Sequence, residues 1–237
     1  ADGITFAMIK CGGGDDGLYE DRKFEQNIQG ALANGIQVGV YFYSGASNAR
    51  EAYDEASYCI SLIRDYQITY PVAFDWELDG DYDQVTEACE TFCNVISSYG
   101  YQPMVYSNRN RWYNNFDGEK IASKYKVWMA AYFGKFYYDS VRWTYGDDLP
   151  NFRYHYDMWQ YSSRCYVDGI SGQVDVDIAF FGYANYHADT KDAVLTVTNK
   201  EIKRTYGEGI GRLTEELNLL DGVKGINTIG YDMDIEY

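Results

Sequence analysis

The chain has 237 residues, 46% of them hydrophobic, and a formal net charge of −16. Length and apolar share suffice for one large α/β domain, or one domain with a short appendage. The negative charge repels phosphate backbones and anionic lipid, which argues against nucleic acid and membrane as partners.

Ile4-Thr5-Phe6-Ala7-Met8-Ile9 reads as a buried strand, ended by Gly12-Gly13-Gly14. Phe24 to Asn34 reads as a helix stopped by Gly35. Val38 to Tyr43 is the next strand, and Ala49 to Asp65 a helix with Ser47 or Asn48 as its cap. A strand over Pro71 to Glu77 precedes a helix over Asp83 to Tyr99, and Pro103 to Ser107 is again a strand. Lys126 to Tyr132, Tyr156 to Tyr161 and Gln173 to Ala179 follow without clear helices between them. Short apolar runs separated by helical periodicity imply parallel strands buried on both faces. The expected fold is therefore α/β, an irregular TIM-like (β/α) barrel whose second half is poor in helices. Beyond about Ala188 the chain turns polar, with a strand-like patch at Val194-Leu195-Thr196-Val197, a helical stretch at Ile210 to Leu220 and a strand-like end at Gly222 to Tyr237.

Five cysteines, Cys11, Cys59, Cys89, Cys93 and Cys165, form no zinc-type spacing and read as free thiols. His155 and His187 have no metal or triad partner in view and read as ordinary polar residues. Gly12-Gly13-Gly14 lacks the following Lys-Ser/Thr of a phosphate loop. No stretch reads as a signal peptide or as a membrane span.

Aromatic residues make up 18% of the chain, with 26 Tyr among them, and a tyrosine offers a flat apolar face with a polar tip. That suits sugar rings, although tyrosine also serves to fill half-buried positions. The sharpest chemical feature is Phe74-Asp75-Trp76-Glu77 at a strand end. Residues i and i+2 of a strand share a face, so Asp75 and Glu77 point together and Trp76 turns away. At a partly desolvated barrel mouth, two close carboxylates cannot both ionise easily, and one becomes a proton donor. Glycosidic cleavage needs that donor beside a second carboxylate. Asp175 and Asp177 repeat the spacing on a late strand, after Met158-Trp159-Gln160-Tyr161-Ser162. Asp79, Asp81 and Asp83 read as solvated turn residues.

Taken in order, these segments resemble glycoside hydrolase family 25, the Chalaropsis-type muramidases. Gly3 to Lys10 resembles the family's G-I-x-F-x-x-I-R strand, with Lys10 in place of arginine. Gly39-Val40-Tyr41-Phe42-Tyr43, Asp75-Trp76-Glu77, Tyr106-Ser107, Trp128-Met129-Ala130-Ala131-Tyr132, Trp159-Gln160-Tyr161-Ser162 and Gly169 to Asp177 match its later motifs. The resemblance covers roughly residues 3–183. It implies hydrolysis of the β-1,4 bond between N-acetylmuramic acid and N-acetylglucosamine in peptidoglycan, by an endolysin, virion-associated lysin or autolysin, with neither a metal nor an organic cofactor. The implied place of action is extracellular, at the cell wall or on a virion. Glu77 resembles the general acid, Asp75 the carboxylate that orients the 2-acetamido group or stabilises the intermediate, and Asp175 a further active-site aspartate. Tyr41, Tyr106, Trp128, Tyr132, Trp159 and Asp177 are the implied substrate-binding residues. A chitinase-like enzyme is disfavoured, because its longer D-x-x-D-x-D-x-E pattern is absent before Glu77.

Family members open with a K-G-I-D-V-S strand that this chain lacks at its start. Lys224-Gly225-Ile226-Asn227-Thr228 resembles that strand, with Asn227 in the place of an active-site aspartate. The expected organisation is thus a barrel over residues 1–187, a connecting segment with a helix over 188–223, and a strand over 224–237. That strand would complete the barrel between Ile4–Ile9 and Val174–Ile178, by circular permutation or by swapping into a second copy. Asn227 also opens an alternative: a catalytically impaired peptidoglycan-binding or phage structural module.

Overall fold

A computed structural model describes residues 3–78, 84–144 and 146–181, together with the backbone of strands at 194–197, 223–226 and 232–233. The chain divides into two units, Ala1–Ala179 and Phe180–Tyr237.

The first unit is an eight-stranded sheet with helices. Its strands are β1 (Phe6–Gly13), β2 (Tyr19–Glu20), β3 (Gln37–Ser44), β4 (Val72–Trp76), β5 (Pro103–Asn108), β6 (Lys126–Ala130), β7 (Met158–Cys165) and β8 (Val174–Ala179). Its helices are α1 (Phe24–Ala33), α2 (Ala49–Ile63), α3 (Val85–Ser98), α4 (Arg109–Asn114), α5 (Gly118–Ala122) and α6 (Gly134–Tyr138). The strand order is β2-β1-β3-β4-β5-β6-β7-β8.

The first strands and helices lie where hydrophobic periodicity puts them. Asn48 caps α2, its side chain accepting from the backbone N–H groups of Arg50 and Glu51. β1 runs further than expected, through Gly12 and Gly13. There β2 crosses so closely that a Cβ on Gly12 would stand 2.2 Å from the Tyr19 carbonyl oxygen. Glycine thus permits a backbone contact here instead of ending the strand.

One face of the sheet is sealed by helices. Phe42 and Phe74 meet Phe92 of α3 at ring distances of 6.2 and 5.2 Å, and Trp159 meets Phe136 of α6 at 5.6 Å. Trp76, on the same face, packs against Phe116 at 5.7 Å. The opposite face is concave. Tyr41 of β3 reaches Trp128 of β6 at 6.1 Å, although two strands separate them in the sheet. Trp128 in turn reaches Asp177 of β8. Such contacts require a curled sheet, a half-barrel.

A closed TIM-like barrel is not what the described residues form. The sheet ends at β2 and β8, and the edge of β1 is occupied by β2 at Gly12–Gly13. β8 is antiparallel to β7, so the last strand breaks the parallel order expected of a barrel. β7 and β8 follow each other with no intervening helix, and an antiparallel return needs none.

In the second unit, β9 (Val194–Val197), β10 (Val223–Ile226) and β11 (Asp232–Met233) form an antiparallel sheet in the order β11-β10-β9. Ile226 finds its strand partners in Val194 and Asp232. A strand has two hydrogen-bonding edges, and β10 uses one for each neighbour. Asn227, Thr228 and the helix expected over 210–220 lie outside the described residues.

All five cysteines are free and buried. No helix of the described residues is long and apolar enough to cross a membrane.

Candidate active site

Parallel register carries side chains of like orientation across the sheet. Tyr43 pairs with Asp75, Asp75 with Tyr106, and Tyr106 with Trp128. Ala130 pairs with Gln160, and Gln160 with Asp177. These residues therefore share the concave face, and Glu77 joins them by alternation from Asp75. The spacing that singled out Asp75 and Glu77 places them as expected.

Asp75 is buried at the floor, 4% exposed, and its Oδ1 has no hydrogen-bond partner among the described residues. Burial, reinforced by the Glu77 charge, holds its proton affinity well above the carboxylate range, against the opposing pull of Lys10 and Arg111. Glu77, half-buried one step further along, lines a groove of about 620 Å³. Burial raises its proton affinity too, with Arg111 the main opposing charge. The expectation of one raised carboxylate is thus corrected: both rise, because desolvation acts on each before they act on one another.

Asp175 is exposed, but crowding around its carboxyl raises its proton affinity, and its charge is felt by Asp75 and Glu77. Asp177 accepts from the Trp128 indole Nε1 at 2.7 Å. Burial pushes it up to about 8, the indole bond opposing and Asp175 adding to the rise.

Tyr41 and Trp128 meet edge to face, and Tyr106 lies against Trp128 at 4.5 Å. Tyr106 and Tyr132 line the groove with Glu77, and Tyr132 is 38% exposed at its rim, stacked on Tyr137. Trp159 does not belong to this set. It is fully buried on the opposite face, stacked on Phe133 and donating its Nε1 to the Ala131 carbonyl. Its neighbour Gln160 takes the concave face instead, because side chains alternate.

Four participants escaped the sequence reading. Tyr43 could have been found by carrying period two outward from Tyr41, and Gln160 by taking the face opposite Trp159. Lys10 was visible only as a substitution. It pairs with Tyr41 in register, and its ammonium lies 4.7 Å from the Tyr43 ring. Burial alone would lower it, but the Tyr19 hydroxyl and Asp21 and Asp15 outweigh that and leave it raised. Arg111 gave no signal, since it sits on the short, unpredicted α4. Its Nη2 donates to the Glu77 carbonyl at 2.6 Å and its Nε to that of Leu78 at 3.1 Å. Asn108 caps this helix by accepting from the Arg111 N–H.

His155 is exposed, 3.3 Å from Asp157. Among the described residues, no group of His, Cys, Asp and Glu could hold a metal ion.

Residues 1–170 match the model of glycosyl hydrolases family 25. The chain belongs to this family. As a family 25 member it is 27% identical over 181 residues to the autolytic lysozyme of Clostridium acetobutylicum, covering 74% of this chain and 48% of that protein. The solved CTP1L endolysin superposes with a TM-score of 0.59 at 25% identity, covering 74% of this chain and 57% of that one. The modular autolysin LytC of Streptococcus pneumoniae, in complex with a synthetic peptidoglycan ligand, gives 0.56 at 26% identity, over 73% of this chain and 40% of that one. The chain spans about half the length of the curated relatives it matches.

Proposed function

We propose that this family 25 chain hydrolyses bacterial peptidoglycan at the β-1,4 bond between N-acetylmuramic acid and N-acetylglucosamine, acting at the cell wall as an endolysin, virion-associated lysin or autolysin. The observation that carries the reading is the placement of two carboxylates from one strand end, Asp75 sealed at the floor and Glu77 open to the groove. The relatives named lysozyme and autolysin, and the peptidoglycan ligand of LytC, agree with it.

Glu77 is the general acid. Desolvation keeps its proton at a pH where an exposed glutamate has lost it, and the groove brings the leaving oxygen to it. Asp75 lies beneath as the partner carboxylate. Its unpartnered Oδ1 offers an acceptor to the 2-acetamido N–H, and that bond favours the ionised form that steadies developing positive charge. Asp175 adds negative charge at the rim. Asp177 fixes the Trp128 ring, while Tyr41, Tyr106, Trp128 and Tyr132 present aromatic surface to the sugars.

The test is release of reducing ends from purified peptidoglycan by the wild-type chain and by Glu77→Gln. Loss of at least about 100-fold is expected on removing a general acid. Equal release by both proteins refutes the assignment.

A further inference from the structure

Gln160 shares the concave face with residues that line the groove. Its strand neighbour Ala130 lines that groove, as do Tyr106 and Tyr132. The Tyr106 hydroxyl donates to Gln160 Oε1 at 2.8 Å, and the Tyr132 hydroxyl donates to the same oxygen. Burial raises the proton affinity of both phenols, so each keeps its proton and serves as a donor. A carbonyl oxygen has two lone pairs, and here the protein fills both. Oε1 is thus the end of the amide turned to the two phenols, and Nε2 is the end turned away.

The nitrogen is left over. Gln160 is 4% exposed, and its Nε2 makes no hydrogen bond to any described residue. An amide N–H without a protein acceptor turns to water, and a ligand oxygen in the groove would take that water's place.

We propose that Gln160 is a substrate-binding residue whose Nε2 donates to an acceptor oxygen of the bound glycan, with Tyr106 and Tyr132 as the positioning residues that hold the amide in that orientation. The N-acetyl carbonyl of a hexosamine fits this site best. It accepts without having to donate, whereas a hydroxyl also needs an acceptor, and both lone pairs of Oε1 are taken. This inference rests on the glycan-hydrolase reading above and names a specificity contact within it.

Binding of soluble, uncross-linked glycan strands is measured by calorimetry on the Glu77→Gln chain, with and without Gln160→Leu. Affinity is expected to fall about tenfold, the size of one good hydrogen bond to a ligand. In the otherwise wild-type chain, Gln160→Leu should raise KM by a similar factor and change kcat less. Gln160→Leu also removes the acceptor that both tyrosines share, so a second measurement leaves Gln160 in place. With glutamine side-chain nitrogen labelled, the Gln160 amide resonances of the Glu77→Gln chain should shift on saturation with glycan. Unchanged affinity in Gln160→Leu, or an unmoved Gln160 amide signal while glycan binds, overturns the inference and leaves the glycan reading standing. Failure of the Glu77→Gln chain to bind glycan at all overturns the reading itself and the inference with it.

Discussion

Replacing Glu55 with glutamine removes an ionisable group from a place that water hardly reaches. Glu55 projects from α2 and is 3% exposed. Its Oε2 accepts from the Ser44 hydroxyl at 2.5 Å and its Oε1 from the Gly45 N–H at 2.9 Å. It thereby ties the helix to the end of β3, next to the strand that carries Asp75. Gly14 lies so near that a Cβ there would stand 2.0 Å from Glu55 Oε1. Burial raises this carboxyl from its ordinary 4.5 to about 7, despite the two hydrogen bonds. Since the folded value is above the unfolded one, the unfolded chain loses its proton first as pH rises. The associated stability is full below about pH 4.5 and is gone above about pH 7. For a shift of that size the loss between about pH 5 and about pH 8 is about 2.5 kcal/mol. Glutamine keeps the shape, accepting from Gly45 and donating to the Ser44 oxygen, but cannot ionise. Urea unfolding of both proteins at the two pH values gives the double difference, in which the other carboxylates cancel. Glu55→Gln should show a stability decline smaller than wild type by about 2.5 kcal/mol. A double difference within about 0.5 kcal/mol of zero would falsify the claim that Glu55 is protonated in the folded protein.

Other expectations bear on the site. Arg111→Gln removes the main charge that lowers Glu77, so the alkaline limb of the kcat/KM profile on peptidoglycan should move to higher pH. A slower enzyme with an unmoved limb would show that Arg111 only braces the backbone of Glu77 and Leu78. Trp159→Ala should cost about 3–5 kcal/mol of stability, because the ring is wholly buried against Phe133 and Phe136; denaturant midpoints decide this, and a loss below about 1 kcal/mol contradicts the packing. Trp128→Phe keeps most of the ring but deletes the N–H given to Asp177. Asp177 should then titrate above its value of about 8, read from its carboxyl carbon signal by NMR, and a downward move would be inconsistent with that bond.

The open groove and the curled sheet were only partly legible in the linear pattern. Period two along β4 sufficed to put Asp75 and Glu77 on one face and Trp76 on the other, since that alternation is a property of a single strand. Apolar runs and the Asn48 cap likewise marked the early strands and α2, for local reasons. Choosing Trp159 over Gln160 as a groove residue failed because alternation says that neighbours differ in face without saying which face is concave. That is settled by which side the helices cover, and it took α6 and Phe136 to claim Trp159. Arg111 could not be foreseen, as α4 is too short to show helical periodicity. The pairing of β10 with β9 and β11 depends on contacts between distant segments, which similarity to a family strand does not specify. The sequence by itself determined the family resemblance, the early strands and the carboxylate pair, because each motif is written in residues close together along the chain. Only the tertiary structure decided how deep each acid sits, which cations oppose it and which way the Gln160 amide points, because desolvation and hydrogen bonding are set by neighbours from other strands.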